Sequence, residues 1–345
     1  MTAPFTVIFD AKHGLRLDAY FPSTSDRLNG RPLSVPVVIH YHRGGMLIGP
    51  KSDIYPPCMP AYRRSRKILL ISPNYRLLFP SSADDMIEDV RSLFAYIASA
   101  ETELSSILYS NGLSVDTSRI VVAGVSGGNY PARAAATLSS IVPRPIGWLN
   151  LSGMGSDWLL DFWINAIDVE RTMPLDTTVH DMAKADELMK TGGGAVVSEV
   201  ESVLVDGKAT DELGRFNLWI AWQKRGIFLD YVLSEPGLSA RLAQVPYQSR
   251  LKMIPKEKRR LLLPITPGTP PTYVLHGKED LLVPFEESLT LENDMKEKGL
   301  SIKIDWVDGA DHLLRDQKKG GWDGMVDGWE DIAKRALNWA VDLVK

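Results

Sequence analysis

A serine stands among glycines in "VVAGVSGGNYPARAAA", residues 121–136, directly after an apolar run and directly before an alanine-rich one. G-x-S-x-G at a strand-to-helix junction is the arrangement that exposes a nucleophile on a sharp turn. Gly124 and Gly128 leave room for the turn, and the N–H of Gly127 falls at a helix start, where negative charge is favoured. A hydroxyl at Ser126 needs a base and an orienting acid to become a nucleophile. Of the six histidines, only His312, in "WVDGADHLL", follows the last strand of the pattern. His42 reads as an orienter of its own loop, and His276 as a residue packed at a strand end. "YVLHGKEDLLVP" (273–284) supplies Glu279 and Asp280 after the preceding strand. Asp280 is the preferred acid because it lies deeper in the turn, and Glu279 stays as the alternative. Asp308 and Asp311 read as solvated loop carboxylates. An oxyanion needs backbone donors as well, and "IHYHRGGMLIG" (39–49) offers Gly44 and Gly45, whose backbone can approach a substrate closely.

The elements that must position these groups can be read in order. "FTVIFDAKHGLRLDAYFP" reads as two short strands about a glycine turn. "VPVVIHYH" (35–42) and "KILLISPNYRL" (67–77) are continuous apolar runs of the kind that form buried strands. Residues 84–100 carry apolar side chains at helical spacing. "RIVVAGV" (119–125), "IGWLNLSG" (146–153), "PTYVLHG" (271–277) and "IKIDWVDG" (302–309) read as further strands. Helices are expected near 285–298 and from about Trp322 to Val344. Strands alternating with helices imply a mainly parallel sheet covered on both faces.

The alternation stops between Gly155 and about Leu263. The expected division is therefore a first core part over 1–154, a helical lid over 155–263 and a second core part over 264–345. The lid reading rests on "DWLLDFWINAI" and "FNLWIAWQKRGIFLDYVL", which are too aromatic for a disordered spacer. Met46, Trp158, Leu159, Phe162, Trp163, Trp219 and Trp222 are candidates for the wall of an acyl pocket, with the lid's own core as the competing role for at least half of the lid aromatics.

The stretches "HYHRGGMLIG", "SPNYRLLFPSSADDMIEDV" and "GVSGGN" together resemble hormone-sensitive-lipase-like α/β-hydrolases over about residues 5–153 and 271–315. The resemblance implies an α/β-hydrolase fold, carboxylic-ester hydrolysis, a triad of Ser126, Asp280 and His312, and oxyanion donors at Gly44, Gly45 and Gly127. Arg43 stands where that family has a first glycine, Val125 replaces an acidic residue, and "DLLVP" replaces the usual Asp-Pro-Leu-Arg-Asp. Such divergence resembles hydrolases of fungal metabolite pathways, some of them trans-acting thioesterases. Acyl transfer or lactonisation is thus the second enzymatic reading, with a trans-acting polyketide thioesterase as one form of it. A non-catalytic ligand-binding protein on a hydrolase fold is a reading of a different class.

Composition narrows the field. The 345 residues are 44% hydrophobic and 24% charged, enough for a large core. A net charge of −4 gives no global attraction to nucleic acid. The lone cysteine, Cys58, excludes an intramolecular disulfide. No apolar stretch is long enough to span a bilayer, and no secretion signal is recognisable, so a cytoplasmic location is expected. No cysteine–histidine cluster or phosphate loop calls for a metal or organic cofactor. The expected partner is a small acyl substrate. An acyl carrier protein could meet the basic run "RLKMIPKEKRR" (250–260), which otherwise reads as a solvated helix face.

Overall fold

The structure, a computed structural model, describes residues 3–22, 31–60, 67–169, 181–205, 208–316, 318–319 and 324–345. Its centre is an eight-stranded sheet in the order β1-β2-β4-β3-β5-β6-β9-β10. The strands are β1 (Phe5–Asp10), β2 (Leu15–Tyr20), β3 (Leu33–Tyr41), β4 (Leu69–Pro73), β5 (Leu113–Val125), β6 (Gly147–Leu151), β9 (Thr272–Gly277) and β10 (Ile302–Val307). Strands β1, β2 and β4 pair antiparallel at one edge. From β4 through β3, β5, β6 and β9 to β10 every pairing is parallel. The carboxyl ends of β3, β5, β6, β9 and β10 therefore open on one edge of the sheet, where ligands of open α/β sheets gather.

The central strands are buried on both faces, which is why they read as apolar runs and not as alternating ones. Val37, Ile39, Val122 and Val274 face one apolar cluster, and Val38, Val121, Ala123 and Tyr273 face the other. The first cluster is covered by helix α1 (Ala83–Ala98) and helix α3 (Asn129–Thr137). Helix α1 begins at a capping box, in which Ser82 and Asp85 each take the other's backbone N–H. Helix α2 (Glu103–Ser110) leads into β5. The second face is closed by the last helix, α11 (Trp329–Leu343), through Ala336, Leu337, Ala340 and Val341. That helix starts at Trp329; the expected start, Trp322, lies outside the described residues.

Between β6 and β9 the chain leaves the sheet. Helices α4 (Asp161–Ile164), α5 (Met182–Lys190), α6 (Arg215–Arg225), α7 (Phe228–Val232), α8 (Leu238–Ala243) and α9 (Tyr247–Met253) lie in this insertion. A hairpin of β7 (Ser202–Val205) and β8 (Lys208–Asp211) interrupts them, where the sequence pattern anticipates helix alone. Helix α10 (Glu286–Glu297) then lies between β9 and β10.

Candidate active site

Strand β5 ends at Val125, and Ser126 follows with φ +51°, a left-handed conformation that a non-glycine residue adopts at a cost. Close packing explains the glycines around it. A Cβ on Gly124 would lie 2.5 Å from Asn129 Cα, and one on Gly128 would lie 2.3 Å from the carbonyl oxygens of Tyr41 and His42. The turn is braced from behind by Asn129, whose side chain takes the Trp148 indole N–H at 3.0 Å and donates to the Met154 carbonyl at 3.0 Å. The Met154 N–H in turn reaches the Ser126 carbonyl at 3.0 Å.

The loop after β3 meets this turn backbone to backbone. A Cβ on Gly127 would lie 2.3 Å from the Met46 nitrogen and 2.8 Å from Gly45 Cα. Gly44 and Gly45 hold φ +114° and +62°, which a side chain would strain. The Gly127 N–H sits in the first turn of a helix, where backbone donors have no intrahelical partner. Around the loop, His42 donates from Nδ1 to the Arg43 carbonyl (2.7 Å) and stacks on Tyr75. Burial pushes the His42 pKa down to about 4, so it is neutral near pH 7. Arg43 turns away to Asp53, with its Nε 2.7 Å from the carboxylate.

Asp280 and His312 meet across the ends of β9 and β10. His312 Nδ1 lies 2.7 Å from Asp280 Oδ2, and Asp280 Oδ1 accepts the N–H groups of Leu282 and Val283, each at 2.9 Å. Burial alone would raise the Asp280 pKa. The charge of His312 and the hydrogen bonds of His276 and His312 outweigh it and hold the carboxyl well below the usual range. Glu279 is exposed. Asp308 pairs with Lys278 at the surface. Asp311 is buried, not solvated, because it binds Arg315 and the Leu313 and Arg315 N–H groups, and so shapes the turn that carries His312. No hydrogen bond joins His312 to Ser126 among the described residues; in unliganded sites such contacts are often loose.

His276 does more than pack at the strand end. It is fully buried, with Nε2 3.0 Å from Asp280 Oδ2 and 3.1 Å from the Val283 carbonyl, and Nδ1 2.7 Å from Ser288 Oγ. Two acceptors at Nε2 require the proton there. Nothing in the sequence signals this role, since a histidine in a strand carries no spacing motif.

Helix α6 of the insertion packs against the loop of Gly44 and Gly45. Arg215 on α6 donates from Nε to the Leu47 carbonyl (2.8 Å) and from Nη2 to the carbonyls of Leu78 and Phe79 (2.6 Å each). Burial pulls its pKa down to about 10, so it stays charged while held by carbonyls alone. Trp219, one turn on, lies against Gly45: its Cδ1 is 2.6 Å from where a Cβ would stand. Met46 is fully buried beside Gly127. Trp158, Trp163 and Trp222 surround Phe228 with ring centroids 5.8, 5.1 and 5.6 Å away, and Phe162 stacks edge-on against Trp163. These four pack in an aromatic cluster continuous with the core on that face of the sheet, Trp158 meeting Tyr130 and Trp222 meeting Phe79, and Leu159 is partly buried against it. The basic run is partly structural too, for Arg250 is buried and bound to Asp161 and the Leu159 carbonyl. Lys256 and Arg260 are exposed.

Among the described residues no helix is long and apolar enough to cross a membrane. No family model matches the chain. A curated relative, the non-reducing polyketide synthase Preu3 of Preussia isomera, is 24% identical over 342 residues; the match covers 95% of this chain but only 13% of the synthase. The probable carboxylesterase M8 of a Phoma species is 22% identical over 307 residues, covering 81% of this chain and 85% of M8. Among solved structures, esterase Est2 of Thermogutta terrifontis with bound butyrate superposes with a TM-score of 0.54 at 15% identity, covering 99% of this chain and 95% of that one. The strand order, the parallel core and this superposition give the chain the α/β-hydrolase fold.

Proposed function

We propose that the chain is a serine hydrolase that cleaves a carboxylic ester or thioester through an acyl-enzyme on Ser126. The observation that carries this reading is the convergence, on one sheet edge, of a left-handed serine turn, a glycine loop packed directly upon it and a buried carboxylate–imidazole pair. In the reading, His312 takes the Ser126 proton as Oγ attacks the acyl carbon. The N–H groups of Gly127, Gly44 and Gly45 hold the oxyanion, each donor contributing about 3 kcal/mol to the transition state. Asp280 keeps the Nδ1 proton of His312 in place, so Nε2 is the accepting atom. The imidazolium returns its proton to the departing alcohol or thiol. Water, deprotonated by His312, then releases the acid.

The similarity to a carboxylesterase and to an esterase fold supports ester cleavage. Residues 155–263 act in this reading as a lid, with Trp219 and Met46 nearest the hole and the Phe162, Trp158, Trp163 and Trp222 cluster behind them. That favours a bulky or extended acyl group over acetate. No cofactor takes part. Ser126→Ala tests the reading: turnover of 4-nitrophenyl octanoate should fall by orders of magnitude with the melting temperature unchanged, and full retained activity would refute it.

A second reading, thioester release from an acyl carrier protein or transfer to an alcohol, is favoured by one observation. Almost the whole chain aligns with a stretch of a polyketide synthase. Lys252, Lys256 and Arg260, the last paired with Asp84, are then exposed cations that an acidic carrier meets.

A further inference from the structure

Helical periodicity puts Arg215, Trp219 and Gln223 of α6 on one face, each a turn apart. The first two reach the loop of the proposed oxyanion hole, Arg215 at the Leu47 carbonyl and Trp219 at Gly45. Gln223 comes next along the same face. It is fully buried, and neither its Oε1 nor its Nε2 has a partner among the described residues. The indole N–H of Trp158, whose ring stacks on Phe228, is buried and has no partner among the described residues either.

Buried amides in proteins are nearly always paired, because an unpaired one forfeits its hydration. A position needed only for packing would be filled more stably by leucine or methionine. A glutamine kept there at a cost to stability is the mark of a group that meets its partner only when a ligand arrives. A carboxamide offers an acceptor and two donors, which suits a hydroxyl or keto oxygen and suits a hydrocarbon poorly. One helical turn past Trp219 is about 6 Å further along the axis.

We infer that Gln223, with Trp219 as the apolar wall nearer the hole, recognises an acyl group bearing a hydroxyl or keto oxygen distal to its reactive carbonyl, on the far side of Trp219. This rests on Ser126 being the acyl acceptor, and it narrows the substrate class from bulky acyl groups to oxygen-bearing ones. A site built to hydrogen-bond such an oxygen rejects the analogue lacking it, because its own polar atoms are then left unpaired.

The test compares the 4-nitrophenyl esters of 4-hydroxybenzoic and 4-methylbenzoic acid, which match in shape and differ in the distal oxygen. Gln223→Leu should lower the hydroxy-to-methyl ratio of kcat/KM at least about tenfold, while the melting temperature rises by about 2–5 °C. Gln223→Met, closer in shape, should do the same and serves if the leucine variant does not fold. A lowered melting temperature with an unchanged ratio would overturn the proposal, since the amide would then be a structural group. Calorimetric binding of 4-hydroxybenzoate to Ser126→Ala, with and without Gln223→Leu, separates this proposal from the one it rests on. Weaker binding to the double variant supports recognition by Gln223 even if Ser126 proves not to be the acyl acceptor, and equal binding to both contradicts it.

Discussion

Replacing Asp280 with asparagine removes one acceptor atom at a point where four N–H groups converge. In the native site Oδ2 serves His312 Nδ1 (2.7 Å) and His276 Nε2 (3.0 Å), and Oδ1 serves the Leu282 and Val283 amides (2.9 Å each). Asparagine has a single oxygen and must choose a pair. If the oxygen turns to the histidines, its NH2 group faces two buried backbone donors, at about 1–3 kcal/mol for each one left unpaired. If it stays on the amides, the NH2 group faces the imidazoles. His276 then keeps its proton on the Val283 carbonyl at 3.1 Å, and His312 alone must move its proton from Nδ1 to Nε2. The second arrangement loses fewer hydrogen bonds, so it wins. It puts a proton on the nitrogen that, in the proposed mechanism, accepts one from Ser126, a tautomer error worth about 10⁴ in kcat, or about 5.5 kcal/mol. Asp280→Asn should therefore lower kcat on 4-nitrophenyl octanoate about 10⁴-fold and shift the melting temperature by only a few degrees. Acid stability reports the same group. Its pKa is depressed on folding, so its contribution is complete above the unfolded value of about 3.9 and is lost as pH falls through the lower folded value. The variant should lack that acid loss. A kcat within tenfold of wild type, or a collapse in melting temperature at unchanged kcat per folded molecule, would refute the reasoning.

Three further outcomes follow from other parts of the molecule. Gly45→Ala sets a methyl at φ +62° and 2.6 Å from the Trp219 ring, so kcat should fall at least about 100-fold as one oxyanion donor is displaced; near-native kcat would speak against that donor. Glu287 is fully buried beneath the Ser156 N–H and the Trp163 indole, and burial raises its pKa to about 8. An acid with a raised folded pKa contributes most below its unfolded value and loses that contribution as pH rises to the folded one; the melting temperature should thus decline between about pH 5 and pH 8, and Glu287→Gln should flatten the slope. Reversing Lys256, Lys258, Arg259 and Arg260 to glutamate should slow turnover of a carrier-bound acyl thioester and leave a free ester untouched. Equal rates on the carrier-bound substrate would remove the docking idea.

How much of this was legible in the sequence depends on where the signal lies. The central strands could be read because burial on both faces leaves uninterrupted runs such as "VPVVIHYH" and "YVLHG". The serine turn could be read because its glycines are forced by backbone approach within a few residues. The choice of Asp280 over Glu279 followed from depth in the turn, and the structure has Asp280 facing His312 with Glu279 at the surface. What escaped was non-local. His276 gains its partners from Asp280 and Ser288, brought together only by the folding of β9 against α10. Arg215 reads as one more surface cation until its three carbonyl partners are in place. The β7–β8 hairpin sits among helix-prone segments, and pairing across a two-residue gap, not pattern, defines it. Nothing in the sequence distinguishes Trp219, which touches Gly45, from Trp158, Trp163 and Trp222, which pack on Phe228.

The central claim is that Ser126 carries the acyl group. Intact-mass measurement after rapid acid quench, with 4-nitrophenyl octanoate and with the 4-hydroxybenzoyl ester, tests it directly. The account predicts a mass increase of one acyl group in the wild type, mapped by peptide digestion to Ser126, and none in Ser126→Ala. Steady turnover in Ser126→Ala, or an acyl group mapped to another residue in the wild type, would contradict it.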